Sequence, residues 1–368
     1  MAPSCLHTII TVGAWFIANR PPSLYLPHLH IYYFHFISPA VSVMLDRQMM
    51  IRGTPAPTPF DHPDADIVLR SSDKEPVDFR AFKLLLSLAS PFFSEIFTLP
   101  QPSSPLLYPD SGSLDGVPVI QMSEDKETLQ ILLGLCFPVS VHAHPRISSV
   151  QQLQKVAEAA IKFEMQGVQN HLKSEIVSPR FVEAQPLRVF AIAYRYGWDT
   201  EARKAARLTL RHPMNVPFVD ELEFISAATY YRLQEYHRAC GEVASSRVLL
   251  QPALADFDDP WVWLSCRRCP AAWDVRSSEY PSARRWWAEW IEDVSEEVRR
   301  RPWGETARKC DLLNKAVRQA SACSNCSQSA KEDLDAFSLM LAVEVEKDIS
   351  TVNIDIDFDD WSCASPTT

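Results

Sequence analysis

Apolar positions along the chain change period repeatedly, and each change marks an element. Residues 66–70 (DIVLR) form a short apolar run bounded by Asp and Ser, which predicts a buried strand. After a turn at 71–76, residues 77–81 (VDFRA) alternate and predict the second strand of a hairpin. Residues 82–89 are apolar nearly all round and predict a helix buried on most sides. The apolar run continues to Phe97, but Ser90-Pro91 cuts it. Ser90 is an N-cap residue, because its hydroxyl accepts from free N–H groups of the next turn. Pro91 falls at the first helical position, where a missing N–H costs nothing, and it disfavours helical geometry at Ser90. The pair therefore ends one helix and starts another, in which Phe92, Phe93, Ile96 and Phe97 share a face.

Residues 99–116, rich in Pro, Ser and Asp, predict a loop. Residues 117–122 (VPVIQM) predict a strand that Pro118 confines to an edge or a strand start. Ser123 is the expected N-cap of a helix over 124–136, striped by Leu129, Leu132, Leu133 and Cys136. After a loop at 138–145, a helix over 149–163 turns Val150, Leu153, Val156, Ala157 and Ala160 inward. Gly167 or a nearby break separates it from 168–176. This order predicts an α+β fold, a small three-stranded mixed sheet capped by helices. Helical pattern then continues over 186–196, ending at Gly197, and over 199–211, capped by Asp199 or Thr200. Small residues Ala202, Ala205 and Ala206 permit close approach of those two helices, and further helical pattern fills 219–244.

The stretch DADIVLRSSD at 64–73, followed by Phe79-Arg80-x-x-Lys83-x-x-Leu86-x-x-Ala89-Ser90-Pro91-Phe92-Phe93, resembles the BTB/POZ domain, in a version common in fungal proteins. The resemblance covers about 64–176; Phe82 stands where many members carry histidine. It implies a protein–protein interaction domain without catalysis. It also implies self-association through the first helices, roughly 82–97, with Phe92, Phe93, Ile96 and Phe97 as the candidate surface. In some members it implies binding to a cullin scaffold that recruits substrates for ubiquitin ligation. The short hydrophobic-x-Glu element of such members has no clear counterpart here. The helices after 179 resemble the extension that often follows such domains.

Composition adds constraints. The 368 residues allow two or three domains, and 28 prolines against nine glycines make stiff linkers. The net charge of −10 opposes a phosphate-binding surface. Within 284–309 seven basic side chains interleave with six acidic ones, the pattern of a solvated mixed-charge helix. Residues 1–45 carry one charged side chain, Arg20. Three readings stand for them: a disordered or gene-model extension with translation starting near 44–50, a membrane anchor over 23–45, or a cleaved signal over 8–18. Residues 55–63 (PAPTPFDHP) predict a linker.

The distinctive chemistry lies near the C-terminus. Seven of the ten tryptophans fall between Trp261 and Trp303, flanked by Cys266-Arg-Arg-Cys269 and Cys323-Ser-Asn-Cys326. Each Cys-x-x-Cys can present two thiolates, and two pairs complete a tetrahedral zinc site. Their separation requires an insert, and 282–300 reads as helical. Cys310 is a spare ligand, and His237-x-x-Cys240 has ligand-like spacing. Packing cysteines and a thiol-dependent enzyme are the other readings. The tryptophans form either a core around this site or an exposed partner groove. The tail at 352–360 (VNIDIDFDD) reads as an edge strand or a solvated end.

No G-x-G-x-x-G, P-loop, G-x-S-x-G or H-E-x-x-H occurs, which speaks against the commonest enzyme classes. The expected organisation is an extension at 1–60, a BTB/POZ-like domain at 61–178, and a helical extension at 179–250. A Trp-rich module at 255–345 with one structural zinc on Cys266, Cys269, Cys323 and Cys326 follows, then an acidic tail at 346–368. The expected function is an intracellular, oligomerising interaction adaptor, with a cullin as one candidate partner. A transcriptional or chromatin regulator with a zinc module is the alternative.

Overall fold

The computed structural model describes residues 53–99, 113–138, 143–250, 261–272 and 283–355. The apolar stretches at 8–18 and 23–45 and the tail beyond 355 lie outside the described residues. The chain divides into two compact units after Leu172.

The first unit is built on a five-stranded mixed sheet, β1 (Thr54–Pro55), β2 (Ile67–Arg70), β3 (Val77–Ala81), β4 (Ser113–Leu114) and β5 (Val117–Gln121), in the order β1-β3-β2-β5-β4. β2 runs antiparallel to β3 and parallel to β5. All four side chains of β2 are buried, as expected of a central strand without alternation. Two strands exceed the expected three, and both are two residues long. β1 comes from the segment read as a linker; it runs parallel to β3. Phe60 from that segment is buried edge-on against Phe79 and Phe137, at 5.5 and 5.3 Å. Proline-rich composition hides such a segment, because its apolar anchors are only one ring and the small Ala56. Pro118 lies at the start of β5, before its pairing with β2 begins at Val119. Arg70 and Asp78 face each other across β2 and β3 as a bidentate pair, at 2.6 and 2.9 Å.

α1 (Lys83–Ala89) and α2 (Pro91–Thr98) form the helix pair that Ser90-Pro91 predicts. Ser90 is extended (φ −148°, ψ 114°) and buried. Its Oγ accepts from the Phe93 N–H at 3.0 Å and donates to the Phe163 carbonyl at 2.6 Å. One hydroxyl thus caps α2 and ties the corner to the turn after α4 (Val150–Lys162). Phe93 packs on Phe163 at 5.1 Å beside that bond.

α1 is less buried than its composition implies: Leu86 is its one buried residue, while Leu84 and Leu88 are exposed. A two-turn helix at the surface covers the core with a single face. α3 (Lys126–Cys136) is capped by Asp125, whose Oδ1 accepts from Thr128 N–H at 2.8 Å, rather than by Ser123. Ser123 instead accepts from Lys162 at 2.5 Å. The break before α5 (Gln166–Ile176) falls at Glu164 (φ +53°), and Gly167 lies inside that helix.

The second unit is helical. α6 (Pro179–Val182), α7 (Pro186–Arg195) and α8 (Asp199–Thr209) come first, with Gly197 at φ +66° turning α7 into α8. Trp198 holds the N-cap position of α8, and Asp199 in its first turn pairs with Arg203 instead of capping. α9 (Ala227–Leu250) packs on α11 (Arg285–Arg300) and on α13 (Cys326–Ile349); α10 (Val262–Ser265) and α12 (Cys310–Ala320) complete the set. α9 and α11 approach so closely that a Cβ on Gly241 would sit 2.4 Å from the Arg299 carbonyl oxygen. Residues 352–355 form no strand, and the Ile354 carbonyl accepts from Arg203 at 3.1 Å.

Ser90→Ala removes a cap worth about 1 kcal/mol and strands a buried carbonyl at about 1–3 kcal/mol. Urea unfolding of the full chain should show the first unit destabilised by about 2–3 kcal/mol, while exposed Glu95→Ala stays within about 0.5 kcal/mol. Gly241→Ala should lower the melting midpoint of the second unit, at a cost of about 1–3 kcal/mol from overpacking; an unchanged midpoint would mean the helices separate freely.

Candidate metal centre and interaction face

Two features stand out once the folding requirements are met. The first is the outer face of α1. Leu84 and Leu88 are one helical turn apart, and 69% and 77% exposed. Large apolar side chains with that exposure serve no core. Of the four residues singled out from the sequence, Phe93 is buried, and Phe92, Ile96 and Phe97 are half-buried. Phe92 leans on Phe163 at 5.5 Å and Phe97 stacks on Phe93 at 5.7 Å. The accessible apolar surface therefore sits one helix earlier, on leucines whose i, i+4 spacing was visible in LLLSL. Lys83 and Ser87, the polar residues of this helix, are themselves half-buried and do not mark which side faces out.

The second feature is the cysteine cluster of the second unit. Cys266 ends the short helix α10, and Cys269 follows a tight loop. Cys323 follows the last turn of α12, and Cys326 is the first residue of α13. The chain between them runs out through α11 and returns through α12, which meets the requirement for a helical insert. The four sulfurs lie within 4.8 Å of one another, a group able to hold a metal ion. Cys266 and Cys323 sulfurs are 3.9 Å apart, and those of Cys269 and Cys326 are 3.6 Å apart.

Backbone donors select the charged form at two of the four positions. Burial pushes the Cys266 thiol up, but N–H groups of Cys269 and Arg268 (the latter at 3.4 Å) donate to its sulfur and hold it down at about 6. N–H groups of Cys326 and Asn325, at the start of α13, lower Cys323 in the same way. Burial and the neighbouring thiols push Cys269 up to about 11 and raise Cys326 as well. Four sulfurs this close oppose full ionisation unless a cation joins them.

The tryptophans form a core beside the cluster. Trp263 is sandwiched between Trp261 at 5.1 Å and Trp287 at 5.6 Å, with planes within 10° of parallel. Phe337 of α13 sets its edge against Trp261, Trp263, Trp287 and Trp290, at 5.3–6.0 Å. Asp333, one turn earlier, accepts from the Val262 N–H at 2.8 Å and anchors α10. Neither Phe337 nor Asp333 was singled out from the sequence. The signal was there: Ala330, Leu334, Phe337, Leu341 and Val345 repeat at helical spacing and are all buried. Trp273 lies outside the described residues.

The remaining candidates stand apart from the centre. Cys310 is exposed at the start of α12, and the four-cysteine group does not include it. His237 Nε2 meets the His212 carbonyl at 3.0 Å, and Cys240 is buried with its thiol pushed up to about 11 by burial. The basic residues of 284–309 are extensively matched: Arg285 pairs with Glu289, Arg308 with Glu305, and Arg300, Arg301 and Lys309 with Glu297.

No helix among the described residues is long and apolar enough to cross a membrane. No curated protein matches the chain. The family model described as BTB/POZ domain matches residues 61–179, the stretch that holds β2 to β5 and α1 to α5. With its helix pair, mixed sheet and Ser-Pro corner, that stretch is a BTB/POZ domain, a protein-interaction module.

Proposed function

We propose that the protein is a non-enzymatic adaptor in a reducing, intracellular compartment. Its BTB/POZ domain docks other polypeptides and a second copy of itself, and its C-terminal unit is stapled by one structural zinc ion. The exposed Leu84 and Leu88 on α1 carry this reading. Burying both leucines against a partner removes apolar area worth about 1.5–3 kcal/mol per side chain. The paired charges along 284–309 favour this role over a nucleic-acid regulator, since a phosphate surface needs unmatched cations. A cullin is one candidate partner; affinity capture from the native cell followed by mass spectrometry tests it, and consistent absence of a cullin removes it.

The sulfur spacing supports zinc. Thiolates at about 2.3 Å from a tetrahedral ion stand about 3.8 Å apart, against 3.9 and 3.6 Å here. Four protein thiolates close the coordination sphere, so the ion holds α10 to α13 and leaves no position for a substrate.

Light scattering after size exclusion should give a dimer for the full chain and a monomer for Leu84→Asp/Leu88→Asp, with unchanged circular dichroism. A monomeric parent rejects self-association through α1. Elemental analysis should find one zinc per chain, lost in Cys266→Ser and in Cys323→Ser together with several kcal/mol of stability in the second unit. Metal-free parent protein rejects the zinc.

A further inference from the structure

The four sulfurs differ in access. Cys266 and Cys326 are buried at 0% exposure. Cys269 and Cys323 are half-buried and line an open groove of about 480 Å³, with Arg268, Arg285, Trp286 and Gln319 among its walls. The contact at 3.9 Å joins groove-facing Cys323 to buried Cys266, and the contact at 3.6 Å joins groove-facing Cys269 to buried Cys326. Each contact thus links a sulfur that a small solute can reach to one that it cannot, and each crosses from one Cys-x-x-Cys to the other.

We propose that this cluster is a thiol-oxidation site. A small hydroperoxide entering the groove converts it into two disulfides, Cys266–Cys323 and Cys269–Cys326. The proposal rests on the zinc reading only for the ion that is released. The Cys323 thiolate attacks one oxygen of hydrogen peroxide, the O–O bond breaks, and the departing hydroxide takes a proton to become water. Cys323 is left as a sulfenic acid. The Cys266 thiolate then attacks that sulfur, the S–O bond breaks, and a second water leaves after protonation. Cys269 and Cys326 repeat the sequence. In sum, a dianionic zinc tetrathiolate, two hydrogen peroxides and four protons give a zinc ion, two disulfides and four waters. The sulfurs are oxidised and the peroxide oxygens reduced.

A disulfide sets its sulfurs at about 2.05 Å, so each pair closes by about 1.5–1.9 Å. Both bonds still tie the 266–269 loop to the start of α13. The oxidised unit therefore keeps its staple when the ion departs, and only the groove wall changes.

The test uses the full chain. Zinc content is measured first; the protein is then treated with hydrogen peroxide, its free thiols are alkylated, and a non-reducing digest is mapped by mass spectrometry. The expected result is Cys266–Cys323 and Cys269–Cys326, one zinc released per chain, retained helical circular dichroism, and recovery of zinc binding after dithiothreitol. Cys269→Ser/Cys326→Ser should still form Cys266–Cys323. Disulfides within a Cys-x-x-Cys, the other crossed pairing, sulfonic acids, or four thiols still alkylated would each overturn the proposal. Protein without zinc at the outset rejects the zinc reading, while the disulfide map still decides this one.

Discussion

A single buried hydroxyl sets the geometry of the first unit. Ser90 must leave the helix, because Pro91 forbids helical backbone before it, and the chain end so created needs hydrogen-bond partners. Its side chain supplies one to Phe93 and offers its proton to Phe163. Water cannot serve there, because the residue is fully buried. Folding an apolar rod at this corner lets α2 drop Phe93 against Phe163 while α1 keeps one face outside. The exposed apolar face of α1 follows from that geometry: short helices doubled over a small sheet cannot hide both of their apolar sides.

The second unit solves a related problem with different chemistry. α10 is four residues long and has little surface of its own to bury. It is held by the Asp333 carboxylate at its start and by the Trp263 sandwich, and Cys266 of the sulfur cluster lies at its end. The aromatic core and the sulfur cluster lie along the same helices, so an ion held by the cluster would brace the end of α10 while the indole stack holds its middle. Phe337 draws Trp261, Trp263, Trp287 and Trp290 around itself, while Trp286 also lines the groove beside the cysteines.

Local signals were enough for much of this. The Ser-Pro corner, the cap at Ser90 and the turn at Gly197 are decided by residues within a few positions of each other, so they were legible one at a time. The two Cys-x-x-Cys pairs were legible for the same reason: two thiols three positions apart have few other uses in such a pattern. Caps with rival candidates were less so. Asp125 displaced Ser123 because Lys162 reaches across and engages the serine, and the position of that lysine depends on how α4 packs.

By itself, then, the order of residues determined where helices break, which segment is a BTB/POZ domain, and which four cysteines belong together. Only the tertiary structure decided that Thr54 and Pro55 join the sheet, that Leu84 and Leu88 rather than Phe93 face outward, and which sulfur of each pair meets the groove. The physical reason is range. Backbone breaks and caps are set by neighbours in sequence, whereas burial and pairing depend on what other segments have already covered.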